Sequence, residues 1–593
     1  MPSPNSASIL ALSGRNGGDP ATHVGDNEFP VLTNYYPIRS RVRRRAGYSK
    51  VINTPAVEDL TSLFAYKENT GDWQLLVGGL TQLYRLDGLA LTLIPRSDGG
   101  GVAYTSETRP WSHSQYKDVA YHSRQNTGTL KRGKSDYMQD AGIDAPATVP
   151  TLADGGAGAL SAADYYGVVT FYNTETGAES NPSEASTVLS LGASKQIAWS
   201  GIPVSTNGQV NARRLYRTLP DQQGVYFFVA EVGDNFTTTY TDNVTDADLG
   251  DEVSFRNGLP PANIRYNVVH KERLWLSDGV DLFYSEQFKP ESYYSNSVIQ
   301  ITPDDGHQMR GLHSYGDRLV VGKTNGIHFV TGTSEANFGV SVLTNRHGLY
   351  SHHSMKNAQG LLFWYGGDDF YVSDGVTVES ISDPKVKDLI DAIPDDMKEY
   401  VVAAIEPSLG WYMASIASGS GQTTNNYMLV YNYRDKTWAV FQYAAGAPRF
   451  IGDFYSSSFG LLPYAVFYDD YIYQLNDGLT DAGTAISAEF RTKQFGFGGD
   501  ALYKALRHFS ILCTSVAGTM TFNLYRDGSA TPHRTRAVSL NQTGLWKRVA
   551  LSNVDQAATL VQVGAVYAGT PALDIEGFAY EMVNYDQRRS VAL

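Results

Sequence analysis

The sequence predicts an all-β protein: a β-propeller of about six blades with an inserted β-sandwich and a C-terminal β-sandwich. Glycine (57) and tyrosine (39) are abundant, and segments with helical periodicity are almost absent, as in β proteins with many turns. One turn pattern also recurs. Gly279, Gly326, Gly375 and Gly478 are separated by about 47, about 49 and about 103 residues, the last being two intervals. A period of roughly 45–50 residues with several strands per unit is typical of propeller blades.

Each repeat reads as an apolar strand, a polar turn and a second aromatic or β-branched strand. Residues 267–284 show this pattern, and residues 316–330 and 361–376 repeat it. The Asp-Gly and Asn-Gly pairs at the turns are expected to supply the positive φ values of tight hairpins. The alternative is an antiparallel β protein with evenly spaced turns, and the persistence of the period over four turns favours the propeller.

Residues 1–48 are predicted to form an extended N-terminal arm with an arginine-rich strand. Its first 27 residues are rich in Ser, Asn, Gly and Pro, and arginines at alternate positions farther on would share one face of a strand. Two interpretations remain: a solvated basic arm, or contact with an anionic partner, either an acidic neighbouring subunit or a phosphate backbone. The acidic chain favours a protein partner. The candidate assembly contacts are Tyr35, Tyr36, Arg39, Arg41, Arg43, Arg44 and Arg45.

The remaining chain divides into four predicted segments. Residues 49–145 contain the first propeller blades, and a linker rich in Ala, Gly and Pro follows. Residues 160–258 have strands spaced as in a small β-sandwich, resemble a fibronectin type III module, and read as an insertion into the propeller. Residues 262–482 carry the remaining blades, and residues 485–593 form a C-terminal β-sandwich.

Composition limits the classes of partner. The net charge of −14 argues against extensive nucleic-acid binding, although DNA sliding past an acidic wall is compatible with it. The single cysteine, Cys513, excludes an intramolecular disulfide framework and an all-cysteine zinc site. No apolar run is long enough for a membrane span and no signal sequence is evident, so the protein is expected to be made and to be soluble in the cytosol.

No catalytic constellation is evident in the sequence. The acidic pairs 304–305, 368–369 and 469–470 lie where hairpin turns are expected, and adjacent strand residues point to opposite faces. The six histidines at 307, 313, 328, 347, 352 and 353 lack a metal-ligand spacing, and no phosphate loop or nucleophile elbow is present. The expectation is a protein that is not an enzyme and has no catalytic residues, no metal and no cofactor.

Three features together resemble a known family. They are residues 34–37 (NYYP) with residues 45–48 (RAGY), the interrupting module with residues 177–183 (GAESNPS), and hairpins ending in Asp-Gly. The pattern is similar to the β-propeller tail proteins of short-tailed bacteriophages, called nozzle, tail tube or DNA-stabilization proteins. It spans most of residues 28–480. RAG at residues 45–47 departs from the Arg-Pro-Gly expected there.

The resemblance implies a structural virion protein in the viral tail, assembled in the bacterial host cytoplasm. Such proteins form a ring, generally a hexamer, below the portal and its adaptor, the head-to-tail connector. The ring extends the DNA channel for genome ejection, retains packaged double-stranded DNA, and carries fibres, spikes or a plug. The alternative from another class is a receptor-binding or glycan-binding virion propeller, or a depolymerase, with surface aromatic residues as stacking platforms. A secreted propeller enzyme is a third class, and the lack of a signal sequence counts against it.

Overall fold

The computed structural model describes residues 5–96, 104–125, 128–456, 460–497, 503–514, 518–541, 545–551 and 557–585. It confirms an all-β fold with a propeller, an inserted sandwich and a C-terminal sandwich. Seven four-stranded antiparallel units form the propeller in the described ranges, against the predicted count of about six.

The blades are numbered here in chain order, and each begins with its innermost strand. Blade 1 comprises Leu60–Lys67, Trp73–Gly79, Leu83–Asp87 and Ala90–Leu93, and blade 2 comprises Ser112–Tyr116, Val119–Ser123, Lys131–Gly133 and Met138–Asp140. Blade 3 comprises Tyr266–His270, Arg273–Ser277, Leu282–Tyr284 and Val298–Ile299, and blade 4 comprises Met309–Tyr315, Arg318–Lys323, Gly326–Thr331 and Gly339–Thr344. Blade 5 comprises Lys356–Ala358, Leu361–Tyr365, Phe370–Ser373 and Val378–Ser380, and blade 6 comprises Val402–Glu406, Trp411–Ile416, Tyr427–Asn432 and Thr437–Phe441. Blade 7 comprises Phe450–Ser456, Gly460–Val466, Ile472–Leu475 and the N-terminal strand Tyr48–Lys50.

The core of the propeller lies between neighbouring blades. Separate apolar clusters join blades 1 and 2, 2 and 3, 3 and 4, 4 and 5, and 5 and 6. One further cluster joins blades 6, 7 and 1, so the ring is closed. Buried tryptophans such as Trp111 and Trp364 fill these interfaces, where each aromatic side chain removes a large apolar area from water.

The strand Tyr48–Lys50 closes the ring. It pairs antiparallel with Ile472–Leu475, the last strand that the C-terminal part of the propeller supplies. Blade 7 therefore combines strands from two distant parts of the chain. The sequence analysis did not place this strand in blade 7, because residue 48 was assigned to the arm and residues 49–50 to the first blades.

The predicted turn glycines differ in conformation. Gly279, Gly375 and Gly478 have φ values of 102°, 88° and 73°, in the left-handed region expected for turn glycines. Gly326 has no positive φ and begins a strand that pairs with Arg318–Lys323. Glycine is required there by close packing instead, because a methyl group would overlap the carbonyl oxygen of Thr344.

The insertion between blades 2 and 3 has three small sheets. They contain Thr151–Leu160, Lys195–Ser200 and Tyr240–Asp242; Ala163–Tyr165 and Leu189–Leu191; and Gly167–Tyr172, Ala212–Arg217 and Phe227–Val232. Trp199 and Leu215 lie in their common core. The two ends of the insertion meet, since a methyl group on Gly142 would lie 2.6 Å from Cδ of Pro260.

The C-terminal sandwich has two sheets around one large apolar core. One contains Tyr35–Ile38, Arg41–Arg44, Asp574–Tyr585, Tyr503–Cys513 and Leu545–Val549, with Asn5–Leu10 also pairing with Asp574–Tyr585. The other contains Val31–Thr33, Ala488–Arg491, Val561–Tyr567, Thr519–Arg526 and Arg534–Ser539. Val31–Thr33 also pairs in parallel with Thr437–Phe441, which fuses this sheet to blade 6. The short strands Thr480–Asp481 and Thr484–Ala485 connect blade 7 to the sandwich.

The prediction of an extended N-terminal arm is therefore corrected. Within residues 5–48, four strands belong to the sandwich and the fifth, Tyr48–Lys50, belongs to blade 7. Segments between these strands are held by backbone hydrogen bonds, for example from the Arg15 amide to the Trp438 carbonyl at 3.0 Å. Pairing with distant strands determines the structure of this segment, although its local composition is typical of loops.

Helical structure is limited to one α-helical turn, Lys387–Ile390, and the 3₁₀ segments Asp246–Asp248, His352–Ser354 and Asp395–Tyr400 in the described part of the chain. No helix among the described residues has the length and apolar character needed to cross a bilayer.

Candidate functional site

Arg45 lies at the point where the N-terminus, blade 7 and the sandwich meet. Its guanidinium donates two hydrogen bonds of 2.6 Å to the carboxylate of Asp481, and both side chains are almost fully buried. It also donates to the Asn34 side chain at 2.8 Å and to the Gln442 carbonyl at 2.8 Å. The guanidinium carbon lies 4.2 Å from the centre of the Tyr443 ring. All three guanidinium nitrogens are thus used inside the chain, in the bidentate geometry that arginine favours.

Arg43 and Arg41 lie on the neighbouring hairpin strand and share one acidic partner. Arg43 donates to both oxygens of Asp574, at 2.7 and 2.9 Å. Arg41 lies 3.3 Å from the same carboxylate. The hydrogen bonds from Arg43 to Asp574 raise the pKa of the guanidinium. The predicted anionic partner of both arginines is therefore found within the same chain.

Arg44 points to the opposite side of its strand and is buried. It donates to the Thr570 carbonyl at 2.6 Å and to the Leu479 carbonyl at 3.3 Å. Burial lowers its pKa. Its role in this chain is to tie the hairpin to a loop of the sandwich and to the segment that connects blade 7 with the sandwich.

Tyr35 and Tyr36 serve two different cores because successive strand residues face opposite sides. Tyr35 is fully buried in the sandwich, where its ring centre lies 6.3 Å from that of Phe490. Tyr36 packs toward the propeller, with its ring centre 4.8 Å from Trp411 and 6.4 Å from Phe441. The strand acts as a joint between the sandwich and blades 6 and 7.

Arg39 differs from the other predicted contacts. It lies with Ser40 at the tip of the hairpin between Tyr35–Ile38 and Arg41–Arg44, is exposed, and has a φ of 46°. Of the seven candidates, it is the most exposed; Arg41 and Arg43 are partly exposed, but their guanidinium groups are already paired with Asp574.

Gly47 provides a test of this joint. A methyl group there would overlap the backbone carbonyl of Thr480, a contact that no side-chain rotation relieves. We expect Gly47→Ala to lower the free energy of unfolding by about 1–3 kcal/mol, the usual cost of overpacking. Urea denaturation measures it. Gly233→Ala is the matched control, because no atom lies within 4 Å of that methyl group and the glycine has no positive φ. Equal losses in the two variants would contradict the expected clash.

A second candidate site lies on the axis of the propeller. A cavity of about 310 Å³ is lined mainly by the first strands of the blades, which neighbour one another around the axis. Its polar and aromatic lining comprises His113, His313, His352, His353, Lys356, Asp453, Asn267, Phe64, Trp111 and Phe450. Its volume is at the lower end of the range for small-molecule pockets.

The histidines of this axial cavity bond mainly to neighbouring strands. His113 contacts the Ser62 hydroxyl at 2.8 Å and Nδ1 of His122 at 2.6 Å. His313 contacts the Asn357 side chain at 3.0 Å. The bonds to Ser62 and Asn357 join the first strands of adjacent blades, whereas the His113–His122 contact lies within blade 2.

Burial keeps the histidines of the axial cavity uncharged at neutral pH. It lowers the pKa of His352 to about 3 and that of His313 to about 4, and it lowers the pKa values of His113 and His353 well below the usual range. It also lowers the pKa of Lys356. The charged form of each group loses its hydration in the enclosed cavity.

Asp453 supplies the carboxylate in the lining of this cavity. Burial raises the pKa of its carboxyl from 3.8 to about 6, although the nearby charge of Lys356 opposes the shift. Its Oδ1 is buried and has no hydrogen-bond partner among the described residues. Because the folded-state pKa exceeds the unfolded value, this group stabilises the fold most below about pH 4, and that stabilisation is lost as the pH rises through 6.

We therefore expect Asp453→Asn to raise the free energy of unfolding at pH 7 by about 3 kcal/mol, since the pKa shift is about two units and one unit corresponds to about 1.4 kcal/mol. The gain should disappear near pH 4, where aspartic acid is also uncharged. Urea denaturation at both pH values measures the difference. Asp396→Asn, at an exposed position, is the control. A loss of stability at pH 7 would show that ionised Asp453 is stabilising.

The acidic pairs considered in the sequence lie at turns and contact local partners. Asp305 pairs with Lys323 at 2.7 Å, and Asp469 accepts a 2.6 Å hydrogen bond from Tyr473. Within the described ranges, no group of three or more His, Cys, Asp or Glu side chains is arranged to hold a metal ion. No sequence pattern marks His113, Lys356 and Asp453 as neighbours, because their proximity arises from blade order around the axis.

No family model and no curated protein sequence matches this chain. Solved structures that resemble it include a structure titled "AfRom2 CNH domain", with 8% identity and a TM-score of 0.29, covering 72% of this chain and 99% of that one. A second is BBS1N in complex with ARL6DN, with 10% identity and a TM-score of 0.26, covering 73% and 97%. A third is the Neurospora crassa Pan2 WD40 domain, with 7% identity and a TM-score of 0.27, covering 73% and 97%. At these TM-scores the likenesses carry no argument, and the propeller rests on the sheet order of this chain.

Proposed function

We propose that this chain is a structural protein of a short bacteriophage tail. Copies form a closed ring, the nozzle, below the portal and adaptor. The ring extends the DNA channel, retains the packaged genome and anchors fibres or a plug. In this role the protein is not an enzyme, needs no cofactor, and is localised in the virion tail after assembly in the host cytoplasm.

One observation carries this proposal. Residues 34–37 and 45–48, which bear the resemblance to tail nozzle proteins, lie together at the joint between propeller and sandwich. There Arg45 is bound to Asp481, Asn34 and the carbonyl of Gln442. Together with the sheet that continues from blade 6 into the sandwich, this joint makes the chain one braced unit. Such bracing suits a protein that must keep its shape while a genome under pressure lies above it.

The hairpin tip is our preferred assembly contact. Exposed Arg39 lies next to Ser40, whose carbonyl accepts a 2.9 Å hydrogen bond from Leu12, and exposed Leu10 lies in the adjoining strand. The positive charge of Arg39 would complement an acidic surface on a neighbouring copy, and Leu10 would add an apolar contact. An acidic surface is in keeping with the net charge of −14. In this proposal the inserted module, with Phe236 exposed by 77%, faces other tail proteins at the periphery of the ring.

The glycan-binding alternative would use the cleft between the insertion and blades 2 and 3. This cleft has a volume of about 480 Å³ and includes Tyr116 and several carboxylates. However, Asp118 is paired with Lys134 and Glu291 with Arg132, both at 2.8 Å. These carboxylates already have basic partners, which favours the structural role over glycan hydrolysis.

Light scattering of the purified protein, alone and mixed with the adaptor–portal complex, tests the proposal. The expected result is a protein that joins the complex as a closed ring of identical subunits with heterologous interfaces. Arg39→Glu should weaken ring formation, whereas Arg346→Glu, an exposed change in blade 4, should not. A chain that stays monomeric, ignores the connector and binds bacterial surface glycans would overturn the proposal.

A further inference from the structure

The axial cavity opens to one face of the propeller through a charged vestibule. The vestibule has a volume of about 420 Å³, and its lining includes Arg109, Arg265, Arg310, Tyr266 and Glu399. A neck of about 40 Å³ is lined by four of these residues together with His352 and His353, which also line the axial cavity. Vestibule, neck and cavity thus follow one another along the propeller axis.

Three guanidinium groups converge on the vestibule with a single carboxylate between two of them. Glu399 accepts from Arg109 at 2.9 Å through one oxygen and from Arg310 at 3.3 Å through the other. Arg109 has a second acidic partner in Glu107, at 3.2 Å. Arg310 therefore has only one oxygen of the Glu399 carboxylate as an acidic partner among the described residues, because the other oxygen is bonded to Arg109.

Arg265 is the least compensated of the three. Its guanidinium lies 3.5 Å from the side-chain oxygen of Gln308, and no carboxylate of the described residues is within ion-pair distance. Arg310 also keeps donor capacity, since its buried Nε has no hydrogen-bond partner in the described ranges. A buried cationic donor without an acceptor is costly, and a bound anion would remove that cost.

Tyr266 lines the vestibule and the neck, close to these two arginines. Burial raises the pKa of its hydroxyl, whereas the nearby charges of Arg310 and Arg265 act in the opposite direction. The hydroxyl adds an uncharged donor beside the two guanidinium groups. Together they offer the convergent polar groups in a concave site that small ligands require.

Two carboxylates on the rim of the vestibule, those of Asp395 and Asp396, limit the size of the anion that can bind there. Lys398 is paired with Asp395 at 2.8 Å, and Asp396 is exposed. These two carboxylates would repel a long polyanion lying across the face, but a small anion within the vestibule is closer to the arginines. We propose that the vestibule is a binding site for a compact oxyanion, a carboxylate or a phosphate, held by Arg265 and Arg310 with Tyr266.

Isothermal titration of the full-length protein with citrate and with inorganic phosphate tests this site. Ionic strength is held constant with sodium chloride, because unspecific charge effects are screened by salt. The expected result is saturable binding of at least one probe. Preference for citrate would identify carboxylates as the ligand class, and preference for phosphate would identify phosphates.

Four variants locate the site. Arg265→Ala and Arg310→Gln should each weaken binding by roughly tenfold or more, the usual effect of losing a charge-assisted hydrogen bond. Glu399→Gln should strengthen binding, because it removes the competing carboxylate, and a folding defect would not produce this change. Arg346→Ala removes an exposed arginine elsewhere in blade 4 and should leave the affinity unchanged.

Two results would overturn the proposal. One is the absence of saturable binding of either anion up to about 10 mM, which is above the usual range of specific affinities. The other is unchanged affinity in Arg265→Ala, which does not disturb an ion pair of the described residues and so should fold normally.

Discussion

Replacing Arg45 with alanine is expected to lower the free energy of unfolding by about 3–5 kcal/mol, the cost of leaving one partner of a buried ion pair alone. Asp481, whose side chain is 3% exposed in the intact chain, would be left without its cation. The side chain of Asn34 would lose the donor that holds it at 2.8 Å. Urea or guanidinium denaturation followed by circular dichroism measures the loss.

Two further variants separate charge from packing at this joint. The double variant Arg45→Met with Asp481→Leu should be much more stable than Arg45→Ala, because apolar replacement of a buried pair removes the unpaired charge. Arg39→Ala, at the exposed hairpin tip, should change stability by no more than about 0.5 kcal/mol. If Arg45→Ala resembles Arg39→Ala, the buried pair contributes little to stability.

Removing residues 1–50 is expected to abolish cooperative folding. The segment supplies four strands of the sandwich and the closing strand of blade 7. Five of its side chains, Leu12, Phe29, Leu32, Tyr35 and Val42, lie in the sandwich core and are at most 3% exposed. At about 1.5–3 kcal/mol for each buried apolar side chain, their loss is comparable with the about 5–15 kcal/mol that stabilises a typical domain.

The measurement is the soluble yield, the thermal melt and the binding of a hydrophobic dye by the truncated chain. Excision of residues 143–258, with a short glycine-rich linker in their place, is the matched control. The ends of that segment meet at Gly142 and Pro260, so the propeller and sandwich should still melt cooperatively. A truncated chain that folds as well as this control would show that the N-terminal strands are dispensable.

Local patterns in the sequence predicted most of the individual strands. The hairpins of blades 1 and 3–6 and the strands near residues 488, 508, 520, 546 and 574 follow apolar alternation and turn chemistry, which depend on neighbouring residues. Residues 386–393 (VKDLIDAI) have the clearest helical pattern in the sequence, and Lys387–Ile390 form one α-helical turn there.

Features that depend on distant pairing were not predictable in the same way. Tyr48–Lys50 has three residues and pairs with a strand more than 400 positions away, so no local period marks it as part of blade 7. The alternate arginines correctly indicated a strand at Arg41–Arg44, but the sequence could not show that Asp574 of the same chain was their partner. The axial cavity depends on blade order, which the sequence spacing does not encode.

The strand Val31–Thr33, held between blade 6 and the sandwich, has a consequence for synthesis on the ribosome. Its two neighbours, Thr437–Phe441 and Ala488–Arg491, are made more than 400 residues later. At roughly 5–20 residues per second, the N-terminal segment waits on the order of 20–90 s before its partners emerge. During that interval its apolar side chains and strand edges have no native partner, so a chaperone that covers the nascent N-terminus should raise the yield of folded protein.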